Sequence, residues 1–189
     1  RYKFRGSSGK VNLALSGLPN LSCLPGNGPH LRGAISISPS MEYIERAYDD
    51  AKYGRWSKRP YIDMIIPTLV DPTLAPPGKH VISCFVQYAP YDIEGGWDDA
   101  KHDAFGETVI STIEKYAPNI RQVIVGKQVI TPQDIERIAK HLRTHEAEDV
   151  AARIGEILDR AGLRYSLSVR QLYHDREEVT GHIRVIKTR

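Results

Sequence analysis

The amino-acid sequence predicts an α+β fold: a twisted mixed or antiparallel sheet with helices packed on one side, then a C-terminal helix and β-hairpin. Three observations predict it. Short segments rich in Ile, Val, Phe and Tyr, such as residues 61–67 and 80–88, have the composition of strands. Longer segments, such as residues 98–116, carry apolar side chains at helical spacing. Connections rich in Pro and Gly, including residues 71–78, separate them.

The first half of the chain is predicted to contain four strands and one helix. Residues 11–15 and 34–38 have strand patterns, and residues 61–67 and 80–88 are expected to be neighbouring strands of one sheet. Ser40 is the expected N-cap of the helix, because its hydroxyl can accept from a free amide of the first turn, and Gly54 is its expected end. The apolar face of this helix comprises Met41, Ile44, Tyr48 and Ala51.

The second half is predicted to begin with a helix over residues 98–116 and a strand over residues 122–129. The helix side chains expected to face the core are Phe105, Val109, Ile113 and Tyr116. Thr131 and Pro132 then start a helix that runs to about residue 142. The tail is expected to form a helix over residues 147–161 and an antiparallel hairpin of residues 164–173 and 179–187.

Composition narrows the class of protein. The chain has 189 residues, of which 41% are hydrophobic and 26% charged, as in an ordinary globular protein. Its net charge of +3 is spread among interspersed acids and bases, so no nucleic-acid partner is expected, and its apolar runs are too short to span a membrane. Cys23 and Cys84 suit neither a disulfide framework nor a zinc site, and a cytoplasmic location is expected.

A series of short motifs follows one another in the order seen in a known family. They are Phe4-Arg5-Gly6-Ser7-Ser8-Gly9-Lys10-Val11-Asn12-Leu13-Ala14-Leu15, His30-Leu31-Arg32-Gly33, Ile37-Ser38-Pro39-Ser40-Met41-Glu42-Tyr43, Arg59-Pro60-Tyr61-Ile62-Asp63-Met64-Ile65-Ile66-Pro67, Ala75-Pro76-Pro77-Gly78-Lys79-His80, Gln87-Tyr88-Ala89-Pro90-Tyr91, Tyr116-Ala117-Pro118-Asn119 and Thr131-Pro132-Gln133-Asp134-Ile135-Glu136-Arg137. Over residues 1–137 the chain thereby resembles the substrate-side domain of phytoene-desaturase-like, pyridine-nucleotide-disulfide-oxidoreductase-domain flavoproteins.

The resemblance implies a sheet whose open face forms a roof over the isoalloxazine ring of FAD. FAD is implied for the full-length family, but no cofactor is expected for this chain alone, because it contains no Gly-x-Gly-x-x-Gly turn to hold the pyrophosphate. The sequence is therefore divided into residues 1–137, the substrate-domain-like region, and residues 138–189, an αββ tail of unknown origin that could pack on the same sheet.

Four residues are candidate substrate-side residues. Lys10 and Asn12 lie on one side of the first strand, and a lysine near a flavin can stabilise a reduced, anionic ring. Tyr88 and Tyr91 bracket Pro90 at a strand end, where they could line an apolar channel for a small molecule. The alternative is structural: a solvent-facing lysine, a hydrogen-bonded asparagine and tyrosines that pack in the core.

Histidines in the tail are weaker candidates. His141 and His145 are four residues apart on the end of a predicted helix, but no third metal ligand has a defined spacing, so no metal site is expected. His174 and Asp175 could form a catalytic pair, but their place in a predicted hairpin loop, where polar residues are common, explains them better.

These observations lead to two hypotheses of different classes. The first is a partial FAD-dependent oxidoreductase of phytoene-desaturase or amine-oxidase type, which retains the substrate-binding domain and is inactive without a flavin domain. The second is a non-enzymatic, oligomerising interaction module built on the same domain. It is considered because an uncovered sheet face and unpaired strand edges promote association with other chains. The expected partners are accordingly a second copy of the chain or a missing flavin domain.

Overall fold

The structure is a computed structural model that describes residues 6–144, 166–174 and 178–186. The chain divides into two compact units, Arg1–Ile135 and Glu136–Arg189. Both helices and strands are present, so the predicted α+β class is confirmed.

The first unit is built around a five-stranded sheet. Its strands are β1 (Ser8–Leu15), β2 (Ile35–Ile37), β3 (Tyr61–Ile65), β4 (His80–Gln87) and β5 (Ile124–Ile130). They lie in the order β2-β3-β4-β1-β5, and every neighbouring pair is antiparallel. Of the two sheet types that the sequence allowed, the antiparallel one is therefore present. β1 lies between β4 and β5, which are far from it along the chain.

The core lies on one face of this sheet, because side chains alternate between the two faces of each strand. Along β1, Val11, Leu13 and Leu15 are buried, whereas the residues between them are more accessible. The α2 helix (Asp99–Glu114) packs on this face, and its predicted inward side chains Phe105, Val109 and Ile113 are completely buried in the same cluster. Tyr116 lies just beyond the helix and is partly buried against that cluster.

The α1 helix (Met41–Lys52) begins as predicted, and its apolar face is unevenly covered. The Ser40 hydroxyl accepts from the Tyr43 amide at 3.1 Å, which confirms the N-cap. Met41 is 84% exposed and Tyr48 44% exposed, whereas Ala47 is buried. The apolar face named from the sequence is therefore only partly covered: Ile44 and Ala51 are partly buried. Which side of a short amphipathic helix is covered depends on the surface that it meets.

Two further helices follow α2. The short α3 helix (Ile120–Val123) leads directly into β5, and the α4 helix (Pro132–Thr144) begins at the predicted Thr131. The hydroxyl and amide of Thr131 both donate to the Asp134 carboxylate, at 2.7 and 2.9 Å, and so tie the residue before the helix to its first turn.

In the second unit, β6 (Ser166–His174) and β7 (Glu178–Ile186) form a two-stranded antiparallel sheet. This confirms the predicted hairpin. The predicted helix over residues 147–161 lies outside the described residues. In the described part of the chain, no helix combines the length and the apolar character that crossing a membrane requires.

Candidate functional site on the open face of the sheet

The face of the five-stranded sheet opposite the core carries a row of side chains that crosses all five strands. Cross-strand pairing aligns them directly: Ser36 is opposite Asp63, Asp63 opposite Phe85, and Phe85 opposite Lys10. Lys10 is in turn opposite Ile130 of β5. We call these five residues the open-face row. The row brings together residues that are up to 120 positions apart in the sequence because strand order, not chain order, decides which side chains are neighbours.

One part of the open-face row, formed by Phe85, Lys10 and Ile130, has apolar side chains on both sides of a cation. Phe85 is 46% exposed, and Ile65 of the adjacent row is 47% exposed. The Lys10 side chain is exposed between Phe85 and Ile130, and no ion pair joins it to a carboxylate in the described part of the chain. A positive charge therefore lies beside a flat aromatic side chain on an accessible surface.

Polar side chains on this face are joined to one another across strands. The Asn12 amide donates to the Gln128 side chain at 3.0 Å, and the Ser36 hydroxyl donates to Asp63 at 2.8 Å. These bonds restrict the orientation of the polar groups. Lys10 and Asn12 share one face of β1, as the sequence indicated. Asn12 is also hydrogen-bonded across strands, as expected if its role is structural.

Tyr88 and Tyr91 lie beyond the end of β4, where each contacts a residue of a helix. The Tyr88 ring meets Tyr48 of α1 edge to face, with ring centroids 5.2 Å apart. The Tyr91 carbonyl accepts from the Gln133 side chain near the start of α4 at 3.0 Å. Both side chains are partly buried. These contacts place the pair next to α1 and α4, so a shared site with Lys10 stays a hypothesis.

Phe85 and Asp63 were not among the candidate residues from the sequence. On one face of β4, Ile82, Cys84 and Val86 are buried, whereas Phe85 on the other face is exposed. The only sequence signal for Phe85 was its position between Cys84 and Val86. Because successive side chains of a strand point to opposite faces, Phe85 lies on the face opposite these two residues.

Metal ligation and thiol chemistry have no support at this face. Among the described residues, no group of three or more His, Cys, Asp or Glu side chains could hold a metal ion. His145 and Asp175 lie outside the described residues, and His174 is the last residue of β6. Burial raises the pKa of the Cys84 thiol to about 12, which keeps it protonated at neutral pH.

The fold and this face define an α+β domain whose antiparallel sheet is covered by a helix on one side and carries, on the other, a row in which Lys10 lies between Phe85 and Ile130. No family model matches the chain. Over 68% of its length, it is similar to "Pyridine nucleotide-disulfide oxidoreductase domain-containing protein 2" of Rattus norvegicus, with 42% identity over 137 residues. The protein of the same name from Mus musculus is 39% identical over 137 residues.

The chain spans 24% of the length of these curated relatives. The similarity therefore relates this chain to one segment of oxidoreductase-domain proteins. Another, shorter similarity covers 14% of the chain: 26 residues are 69% identical to "Ribosomal RNA large subunit methyltransferase M" of Saccharophagus degradans. Because that stretch spans only 7% of the methyltransferase, it says little about the activity of this chain.

The residues of the open face can be compared with what a flavin ring and the whole cofactor would each need. Phe85 and Ile130 offer apolar surface to a planar ring, and Lys10 offers a charge to its electron-rich edge. Tight binding of the pyrophosphate of FAD needs a glycine-rich turn at a helix N-terminus, and the sequence contains no Gly-x-Gly-x-x-Gly. The residues present therefore suit a surface that covers a flavin held by other residues.

Proposed function

We propose that the first unit is the substrate-side sheet of an FAD-dependent oxidoreductase of phytoene-desaturase or amine-oxidase type. It works with a flavin-binding domain outside these 189 residues and has no catalytic activity by itself. The part of the open-face row formed by Phe85, Lys10 and Ile130 carries this proposal, because it places an exposed cation between two apolar side chains. The oxidoreductase-domain name of the mammalian relatives supports the same class of chemistry.

In this function, FAD would supply hydride or electron transfer when bound. The residues of this chain cover the ring and exclude water from it, because Phe85 and Ile130 present apolar side chains. The Lys10 ammonium favours negative charge on the group that it faces. Tyr88 and Tyr91 border the route of an apolar substrate at the end of β4.

A split-protein experiment tests the proposal. The chain is co-expressed with the rat relative from which the matching segment has been deleted, and both are followed by gel filtration with detection of the visible flavin absorbance. We expect the two polypeptides to co-elute with bound flavin and the isolated chain to remain colourless in the presence of added FAD. A Lys10→Met variant should co-elute normally but shift the reduction potential of the bound flavin.

The deletion could itself prevent the rat protein from folding, so a second measurement keeps the proposal falsifiable. Residues 6–135 of this chain are exchanged for the matching segment of the intact rat relative, and flavin content is measured. A folded, monodisperse chimera without flavin would contradict the proposal. So would an isolated chain that binds FAD tightly and raises its own unfolding midpoint, since the chain would then hold the cofactor itself.

A second candidate function is a non-enzymatic module that associates with copies of itself. The observation that favours it is the same exposure of Phe85 and Ile65, together with the free outer edges of β2 and β5 in the described sheet. Exposed apolar side chains and unpaired strand edges both promote association. Light scattering distinguishes the two functions: the module predicts a defined oligomer that is indifferent to FAD and to a flavin domain.

A further inference from the structure

A cleft separate from the open-face row lies between α1 and the segment that leads into β3. It has a volume of about 390 Å³. Its lining comprises Ser40, Glu42, Tyr43, Arg46, Ala47, Asp50, Ser57, Lys58 and Arg59. A volume of this size is within the range of small-molecule sites. None of the lining residues belongs to the open-face row.

The charges in this cleft are unevenly paired. Glu42 lies 2.5 Å from Arg46, and Asp50 lies 3.8 Å from Arg55, so both acids already have a cationic partner. Lys58 and Arg59 also line the cleft, and no carboxylate lies within ion-pair distance of either in the described part of the chain. The cleft therefore has two cations whose charge the protein does not balance locally.

The backbone that carries these two cations is held by hydrogen bonds. Ser57 is almost completely buried, and its hydroxyl accepts from the Arg59 amide at 3.0 Å. The Tyr43 hydroxyl of α1 donates to the Pro60 carbonyl at 2.9 Å, which joins the two walls of the cleft. The side chains of Lys58 and Arg59 therefore extend from a backbone segment that is bonded to α1.

From this arrangement we propose that the cleft binds a small organic anion, whose phosphate or carboxylate group is bound by Lys58 and Arg59. Guanidinium and ammonium groups are the usual partners of both anions, and Arg can bind either one through two parallel hydrogen bonds. A ligand amine is disfavoured, because the two acids of the cleft are already neutralised. The inference is independent of the proposed oxidoreductase function, since it uses different residues.

The test is a calorimetric titration of the full chain with inorganic phosphate and, separately, with acetate. Each titration is compared with chloride at the same ionic strength, because salt alone screens exposed charges. We expect saturable binding of phosphate, acetate or both, and the more tightly bound anion identifies the preferred group. A Lys58→Gln, Arg59→Gln variant should bind about tenfold more weakly, equivalent to about 1.4 kcal/mol.

Lys79→Gln provides the matched control, since Lys79 is an exposed cation in another loop and does not line the cleft. It should bind as the unmodified chain does. The amide signals of residues 57–59 in an NMR titration report the same event without relying on the variants. Binding that equals the chloride reference, or that survives unchanged in the double variant, would overturn the inference.

Discussion

Lys10 of β1 and Phe85 of β4 are direct cross-strand partners on the exposed face of the sheet. Their side chains are neighbours although 75 positions separate them in the sequence. This pairing places a cation next to an aromatic ring at the centre of the open-face row, and it is the relationship on which the proposed covering of a flavin depends.

Replacing Phe85 with threonine should abolish association with a flavin domain while having little effect on folding. Phe85 is already 46% exposed, and threonine, like phenylalanine, is a residue that strands favour. The expected loss of folding stability is about 1 kcal/mol or less, which is the range of a single cross-strand pair. Gel filtration measures association, and urea unfolding measures stability.

Val70→Thr is the control for this change, because Val70 is 72% exposed but lies outside the five strands. It should leave association intact. If Phe85→Thr co-elutes with the flavin domain as well as Val70→Thr does, the open-face row is not the contact surface.

Replacing Gly9 with alanine should destabilise the first unit by about 1–3 kcal/mol, the usual cost of an overpacked core. A Cβ at Gly9 would lie 2.7 Å from the Phe105 ring and 3.3 Å from the Ala89 side chain. Phe105 is completely buried and has little room to move. At Gly33, an added Cβ meets no heavy atom within 4 Å, so Gly33→Ala should change the free energy of unfolding by no more than about 0.5 kcal/mol. Equal effects of the two substitutions in urea unfolding would contradict this packing.

The two cysteines should differ sharply in reactivity. Cys23 is exposed, whereas Cys84 is buried, and its burial raises the pKa of its thiol to about 12. An aromatic disulfide reagent should modify one thiol rapidly in the native protein and the second only after denaturant is added. Cys23→Ser should remove the fast phase, and Cys84→Ser should leave it. Rapid modification of both thiols in the native state would show that the core opens easily.

The stability of α2 should depend on pH through Asp98. Its carboxylate accepts from the Lys101 amide at 2.7 Å, and this bond, followed by that to the Lys101 side chain, lowers the pKa of Asp98. Because the pKa is lower in the folded state, the stabilisation is complete above about pH 4 and is lost as the pH falls through the lowered pKa.

Asp98→Asn retains a capping side chain but removes the titration. The unmodified chain should therefore be more stable than this variant at neutral pH, and the difference should shrink as the pH falls. Urea midpoints measured from about pH 7 to about pH 2.5 check this. Asp99→Asn is the matched control, because it removes the neighbouring carboxylate and leaves the N-cap residue Asp98 in place. It should retain the pH dependence of the unmodified chain. A difference that stays constant across this pH range would exclude the Asp98 cap as its source.

Local structure was predictable where neighbouring residues determine it. Ser40 caps α1 because its hydroxyl reaches the Tyr43 amide three residues away, and Phe105, Val109 and Ile113 share one face because of helical geometry. The strands at residues 61–65 and 80–87 followed from their composition. The inward face of α1 could not be predicted, since Met41 and Ala47 differ in burial only through the surface that the helix meets.

By itself, the sequence determined the α+β class, the order of the five strands of the first unit and of its longer helices, and the presence of Lys10 and Asn12 on one side of a strand. These properties depend on backbone geometry and on contacts between residues close along the chain. Only the tertiary structure decided that β1 lies between β4 and β5, and hence that Phe85 and Ile130 flank Lys10. Pairing between distant strands reflects the burial of one sheet face in the core that α2 helps to form. That burial is a property of the whole domain rather than of any single segment.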